Sequence, residues 1–201
     1  MPREASPNLA RVTSPALDRA LTESSLRPLP APAAELLRAL DAPPRLGAHL
    51  RAVHDVAWSL TDALGRRRPD LGFDTSAVLF GAATHDIGKV VHVAELSGPG
   101  RRHEEAGRDL LLRYGVPAHL ARFAGSHGSW DAPEATLDDL LVSLADKVWK
   151  AARVTDLEER VGRHLGGAPW EAFLVLDDVL QGLAAGADER LAFQAAHPIA
   201  A

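Results

Sequence analysis

Apolar residues recur at helical spacing along most of the chain, and no segment alternates strictly between apolar and polar positions as a half-buried strand would. The clearest stripe lies on a helix over residues 45–64 and consists of Leu46, Val53, Ala57, Leu60 and Leu64. Further helices are predicted at residues 78–91, 102–114, 118–126, 135–154, 156–165 and 169–183. The apolar face of the last one contains Phe173, Leu176, Val179 and Leu183. This pattern predicts an all-α fold, a single-domain helical bundle.

Prolines and glycines divide the chain into an arm and a domain. Residues 1–32 contain six prolines, and only Ala16–Leu21 looks helical. We expect a flexible arm over residues 1–32, with a partner-docking segment as the alternative. Residues 33–201 are expected to form the helical domain, with a motif-bearing core over residues 40–155 and C-terminal helices over residues 156–195.

Length and composition narrow the function classes. A chain of 201 residues fits one domain with a full core, and 46% hydrophobic residues exclude a largely disordered protein. Because the chain has no cysteine, a thiolate zinc site and a cysteine nucleophile are excluded. The net charge of −5 argues against a long nucleic acid as partner. Since no apolar run is long enough to span a membrane and the N-terminus lacks a secretory pattern, we expect a cytoplasmic protein.

Carboxylates interrupt two otherwise apolar helices. His85 and Asp86 do so in the first, and Asp146 does so within residues 140–149. Burying an ionised carboxylate is costly unless it is paired or bound to a metal. The alternatives are a hydrogen-bonded His–Asp pair in the core and a surface ion pair of Asp146 with Lys147 or Lys150. The recurrence of this feature in one small domain favours a metal site.

Four of the nine histidines fall on inward helix faces: His49, His85, His103 and His127. His49 stands four residues before Val53 and shares the buried stripe. His54 is turned roughly 140° away from His49 and is expected at the surface or behind the ligands. For any single histidine, a hydrogen-bonded core residue is the alternative. It is their number that favours nitrogen-and-oxygen ligation of a metal.

The combined spacing resembles a known signature. His49, His85-Asp86 after 35 further residues and Asp146 after another 59 resemble the H…HD…D pattern of the HD-domain superfamily of metal-dependent phosphohydrolases. The string His85-Asp-Ile-Gly-Lys89 resembles the best-known motif of that superfamily. His103 and His127 resemble the additional ligands of its dinuclear subset. Gly-Ser-Trp follows His127, without the second histidine and the Gly-Tyr-Pro of HD-GYP proteins, which argues against a cyclic-di-GMP phosphodiesterase.

The resemblance implies a set of metal ligands. One divalent ion would take His49, His85, Asp86 and Asp146, and a second would share Asp86 and add His103 and His127. A single ion, with the last two histidines as substrate contacts or proton donors, is the alternative. Ligands of this kind suit Fe, Mn, Co, Ni or Zn. Such ions supply hydroxide near neutral pH and clamp phosphate oxygens.

The resemblance implies a small phosphorylated substrate of nucleotide size. By the resemblance, Lys89 would bind a phosphate. Lys150 and Arg153 would form a basic edge beside Asp146. Arg101 and Arg102 lie on a Gly/Pro-rich loop, which could close over an anion. Solvated surface charge is the alternative for each of these side chains.

Two other functions remain open at this stage. An HD-type di-iron oxygenase acting on a phosphorylated or phosphonate substrate would use the same six ligands. A non-catalytic HD module that binds a nucleotide is the third possibility, and retention of the complete ligand set argues against it. The sequence leaves the substrate, the metal and the oligomeric state open.

Overall fold

The computed structural model describes residues 14–23 and 26–200. Within these residues the chain forms ten α-helices, two short 3₁₀ helices and no strand, so the all-α prediction is confirmed. The helices are α1 (Pro15–Thr22), α2 (Ala31–Ala39), α3 (Pro44–Arg67), α4 (Thr75–Thr84), α5 (Arg102–Arg113), α6 (Ala118–Ser126), α7 (Leu137–Val148), α8 (Thr155–His164), α9 (Pro169–Ala184) and α10 (Ala187–Ala195). The 3₁₀ helices are Ile87–Val90 and Val93–Leu96. No helix among the described residues is long and apolar enough to cross a membrane.

The long helix α3 lies at the centre of the bundle and packs against α1, α4, α7, α9 and α10. Its first half joins a hydrophobic cluster with α1, α2, α5 and α6, and its second half joins another with α4, α7, α8 and α9. Removal of this apolar surface from water is the main force that stabilises the bundle. The two clusters meet at the end of α4, where Ala82 belongs to one and Ile87 to the other. Polar groups between Ala82 and Ile87 therefore lie at the seam.

The N-terminal segment is packed where the structure describes it. Leu17, Ala20 and Leu21 of α1 are buried against the domain. Arg51 on α3 is only 1% exposed and donates hydrogen bonds to the carbonyl oxygens of Ala20 and Glu23, among others. These contacts satisfy carbonyl oxygens at the end of α1 and in the loop that follows. The expectation of a flexible arm over residues 1–32 is therefore wrong for residues 14–23 and 26–32. The remainder of the predicted arm lies outside the described residues.

Two helices end earlier than their apolar patterns suggest. α4 is capped by Asp74, whose side chain accepts a hydrogen bond from the Ala77 amide at 3.0 Å, but the helix ends at Thr84 instead of residue 91. The chain then turns into the Ile87–Val90 3₁₀ helix, in which Ile87 is buried and Val90 is partly buried. α7 ends at Val148, not at residue 154, because Ala151 adopts a left-handed φ of 60°.

The apolar face predicted for α9 is correct except at one position. Leu176 and Val179 are buried as expected, but Phe173 is 60% exposed. On a helical wheel, Phe173 lies at the edge of the buried face, and the exposed Leu174 lies opposite it. Periodicity alone could not show where the buried face ends.

Candidate metal centre

The six residues predicted as ligands come together from five segments of the chain. His49 lies in the second turn of α3, and His103 lies in the first turn of α5. His127 follows the end of α6, and Asp146 lies in the last turn of α7. His85 and Asp86 follow α4 at the bend into the 3₁₀ helix. The end of α4 thus delivers two adjacent polar groups to the seam between the hydrophobic clusters.

Within residues 14–23 and 26–200, two groups of side chains could each hold a metal ion. The first group is His49, His85 and Asp146, and the second is Asp86, His103 and His127. In each group the potential ligand atoms lie within 4.8 Å of one another. The closest pairs are His85 Nε2 with Asp146 Oδ1 at 3.4 Å and His103 Nε2 with Asp86 Oδ1 at 3.0 Å. The predicted residues therefore do converge.

Asp86 lies between the two groups and presents one oxygen to each. Its Oδ2 is 3.1 Å from His49 Nε2 and 3.6 Å from His85 Nε2. Its Oδ1 is 3.0 Å from His103 Nε2 and 3.5 Å from His127 Nε2. A carboxylate in this position can bridge two cations that lie on either side of it.

The orientation of the histidine rings fits metal binding. His85 Nδ1 and His127 Nδ1 contact the carbonyl oxygens of Ala82 and Ala124 at 3.0 and 3.2 Å. A ring that donates from Nδ1 to a carbonyl keeps a free lone pair on Nε2, which is the usual arrangement at metal sites. The buried Nε2 atoms of His49 and His85 have no hydrogen-bond partner in the described part of the chain. Unpaired buried nitrogens of this kind need a ligand.

The electrostatics of the site also favour a cation. Burial alone would raise the pKa of Asp86, but the nearby imidazoles of His85, His103 and His49 hold that pKa well below its usual range. Burial would likewise raise the pKa of Asp146, and the nearby imidazole of His85 lowers it instead. Both carboxylates are therefore charged at neutral pH. Burial, together with His85, lowers the pKa of His127 to about 4, so its ring is neutral and can act as a ligand.

Two glycines allow α5 to approach the His-Asp bend closely. A Cβ on Gly88 would lie 2.0 Å from the carbonyl oxygen of His103 and 2.6 Å from the amide nitrogen of Gly107. A Cβ on Gly107 would lie 3.0 Å from the amide nitrogen of Gly88. This backbone contact places His103 beside Asp86.

The ligand groups lie at the bottom of a cleft of about 420 Å³. Four basic side chains line it: Lys89, Arg101, Lys147 and Lys150. Lys89 Nζ is 2.6 Å from Asp86 Oδ2, and Lys147 Nζ is 2.8 Å from Asp146 Oδ2. The ion pair considered as an alternative for Asp146 is thus present, but on a carboxylate that also contacts His85.

Two predicted basic residues lie elsewhere. Arg102 is exposed and is not part of the cleft lining, although the adjacent Arg101 is. Arg153 pairs with Glu158 and Asp177 at 2.7 and 2.8 Å, because the chain turns after α7. The basic edge expected beside Asp146 therefore contains Lys150 without Arg153.

The choice between the two histidines of α3 is supported by their positions. His49 is beside Asp86 and Asp146, whereas His54 is in neither ligand group. His54 is nevertheless only 5% exposed, so a surface position is wrong for it. Arg51 of α3 donates to the carbonyl oxygen of Ala20, and Arg27 pairs with Asp55 of α3. The N-terminal segment therefore covers the face of α3 that the helical wheel indicated as exposed.

Three residues near the site were not expected from the sequence. Glu95 accepts a hydrogen bond from the His103 amide at 3.1 Å, and its Oε2 lies 2.6 Å from His103 Nδ1, which orients that ring. Trp149 stacks edge-on against His49, with ring centroids 4.9 Å apart. Gln194 on α10 lines the cleft. Spacing within a helix gives no signal for these residues, because Glu95 reaches the site through a 3₁₀ turn and Gln194 from a distant helix.

Comparison with known proteins agrees with this geometry. The family model described as HD domain matches residues 46–149, which is more than half of the chain. The matched segment contains all six potential ligands. Comparison with curated proteins and with solved structures gave no significant match. The chain belongs to the HD domain family.

Proposed function

We propose that this protein is a metal-dependent phosphohydrolase that cleaves a small phosphorylated substrate of nucleotide size. The observation that carries the proposal is Asp86, a buried carboxylate with one oxygen facing each of two histidine-containing groups. Family membership supports a hydrolase-like, metal-dependent chemistry. The basic side chains around the same cleft favour an anionic substrate.

The residues present fit a pair of divalent transition-metal ions. His49, His85, Asp86 and Asp146 would hold one, and Asp86, His103 and His127 would hold the other. Nitrogen and oxygen donors of this kind suit Fe, Mn, Co, Ni or Zn. When bound, such ions lower the pKa of coordinated water and neutralise phosphate oxygens.

The chain's own residues would supply substrate binding and orientation. Lys89 lies 2.6 Å from Asp86, so its ammonium is close enough to the ligand groups to contact a phosphate oxygen there. Lys150 and Arg101 lie on the rim of the same cleft. Glu95 would hold His103 in the orientation that keeps Nε2 directed at Asp86. We assign Lys89 and Lys150 to substrate binding. Arg101 lines the cleft and Arg102 does not, so Arg101 is the stronger candidate for substrate binding.

The test is phosphate release by protein reconstituted with each candidate metal, over a panel of nucleotides and p-nitrophenyl phosphate. Wild-type protein should release phosphate in a metal-dependent manner, and Asp86→Asn and Asp146→Asn should lose activity by several orders of magnitude while remaining folded. A matched control is Asp177→Asn, which changes a carboxylate on α9 that pairs with Arg153 away from the site. No phosphate release with any metal would refute the proposal, and oxygen consumption by the iron-loaded protein would favour a di-iron oxygenase.

A further inference from the structure

The cleft has a wall that none of the six potential ligands forms. Trp149 and Lys150 contribute to it from the end of α7, and Gln194 contributes from α10. We call these three residues the far wall. Lys150 and Gln194 lie beyond residue 149, where the match to the HD domain family ends. Two of the three far-wall residues therefore lie outside the matched family segment, and Trp149 is its last residue.

Buried hydrogen bonds hold the far wall in place. Arg190 on α10 is 7% exposed, and its Nε donates to the carbonyl oxygen of Trp149 at 2.8 Å. Its Nη2 donates to the carbonyl oxygen of Leu183 at 2.6 Å. Since one guanidinium joins the end of α7 to the ends of α9 and α10, Gln194 has a fixed position relative to Trp149.

The indole of Trp149 carries an unused donor in this wall. Trp149 is 4% exposed, and its Nε1 is buried without a hydrogen-bond partner in the part of the chain that the structure describes. Indole N–H groups can only donate, and buried donors are rarely left unpaired in native proteins. The contact of the ring with His49 fixes the indole beside the first ligand group. A ligand that brings an acceptor into the cleft would satisfy this donor.

The charge of Lys150 is also uncompensated. Three of the four basic residues on the cleft are paired: Lys89 with Asp86, Lys147 with Asp146 and Arg101 with Glu104. Lys150 has no carboxylate within 4.0 Å among residues 14–23 and 26–200. The far wall thus combines an ammonium, an indole N–H and an amide, three hydrogen-bond donors on residues that line the same cleft.

We infer that the far wall binds a second phosphate of the substrate, so that the substrate is a phosphoanhydride and not a simple phosphomonoester. This inference rests on the proposed function, in which the other phosphate lies at the ligand groups. Hydrogen-bond donors that have no acceptor in the protein favour a substrate whose leaving group is an anion over one whose leaving group is neutral. The bond between the two phosphates would then lie between the ligand groups and the far wall.

The reaction that follows is the addition of one water across the anhydride. The water oxygen forms a bond to the attacked phosphorus, and the bond from that phosphorus to the bridging oxygen breaks. The bridging oxygen keeps the electron pair and leaves on the second phosphate. The protons of the water pass to the phosphate products or to solvent. The far wall would stabilise the negative charge that develops on the leaving phosphate.

The experiment compares inorganic pyrophosphate and ADP with p-nitrophenyl phosphate as substrates of the metal-loaded protein. In wild-type protein, kcat/KM should be higher for the anhydrides than for the monoester. Trp149→Phe keeps an aromatic side chain beside His49 and removes the N–H donor together with one ring of the indole. It should lower the ratio of anhydride to monoester kcat/KM about tenfold, the size expected for one charge-assisted hydrogen bond. Gln194→Ala, at a partly exposed position, should lower the same ratio and serves if the first variant folds poorly.

Trp170→Phe is the matched control, because Trp170 is 65% exposed on α9 and does not line this cleft. It should leave the ratio unchanged. If Trp149→Phe and Gln194→Ala change anhydride and monoester hydrolysis equally, or change neither, the far wall does not bind a second phosphate, while the proposed function stands. If wild-type protein hydrolyses no phosphate compound, the proposed function itself fails.

Discussion

Gly88 lies where the Ile87–Val90 3₁₀ helix crosses α5, and Gly88→Ala should separate the two ligand groups. The new Cβ would lie 2.0 Å from the carbonyl oxygen of His103 and 2.6 Å from the amide nitrogen of Gly107. Cβ atoms in proteins do not approach other atoms closer than 3.0 Å, and both contacts are with backbone that cannot rotate away. α5 must therefore move by roughly 1 Å, because a close-packed interior has no free volume to absorb the methyl group.

This movement should affect one ligand group more than the other. His103 is part of α5, and its Nε2 is 3.0 Å from Asp86 Oδ1. His49, His85 and Asp146 are not on α5. We expect the variant to lose about 1–3 kcal/mol of unfolding free energy, as overpacked cores do. It should also bind one metal ion, where we expect two for the wild-type protein.

Urea unfolding would measure the change in stability. Inductively coupled plasma mass spectrometry after equilibrium dialysis would measure the metal content. Gly182→Ala on α9 is the matched control, since a Cβ there meets no atom within 4 Å. It should raise stability by about 0.5–1 kcal/mol through helix propensity and leave the metal content unchanged. A Gly88→Ala protein with wild-type stability and two metal equivalents would refute the reasoning.

Three further substitutions test other parts of the site and fold. Lys89→Ala should lower kcat/KM for phosphorylated substrates at least tenfold, since a charge-assisted contact contributes about 1.5–3 kcal/mol, while the metal content stays the same; unchanged kinetics would contradict a substrate role. Burial lowers the pKa of His54 from 6.5 to about 4. Between these pH values the unfolded chain binds a proton at His54 and the folded protein does not. The free energy of unfolding therefore falls as pH decreases across this window. The loss amounts to up to about 3 kcal/mol, and urea unfolding of His54→Gln should show a shallower dependence on pH; an equal dependence would count against burial of a neutral ring. Ala151→Gly should raise the free energy of unfolding by about 1 kcal/mol, because Ala151 has a left-handed φ of 60°; a lower urea midpoint would be inconsistent with that strain.

Sequence periodicity predicts most of the helices, because each one buries an apolar face. α3 was expected over residues 45–64 and spans Pro44–Arg67. The end of α4 could not be predicted in the same way, since α-helical and 3₁₀ turns bury nearly the same apolar positions. The bend after Thr84 brings Gly88 against α5, a tertiary contact that the local sequence pattern does not show.

The ligand set was more predictable than its surroundings. His85, Asp86 and Asp146 stand out because charged or polar groups inside apolar helices need a compensating partner. His54 was misplaced, since a helical wheel shows only one face and α3 is covered on several sides. Glu95 and Gln194 reach the site through a 3₁₀ turn and a separate helix, and no local pattern connects them to the histidines.

The central claim is that Asp86 bridges two metal ions, and metal stoichiometry tests it most directly. Protein dialysed against saturating Mn, Fe or Zn should hold close to two equivalents per chain, as expected for a site with two ligand groups. The His103→Ala, His127→Ala double variant should hold about one equivalent, and Asp86→Ala should hold almost none while its circular dichroism spectrum remains helical. One equivalent in wild-type protein, unchanged in the double variant, would contradict the account.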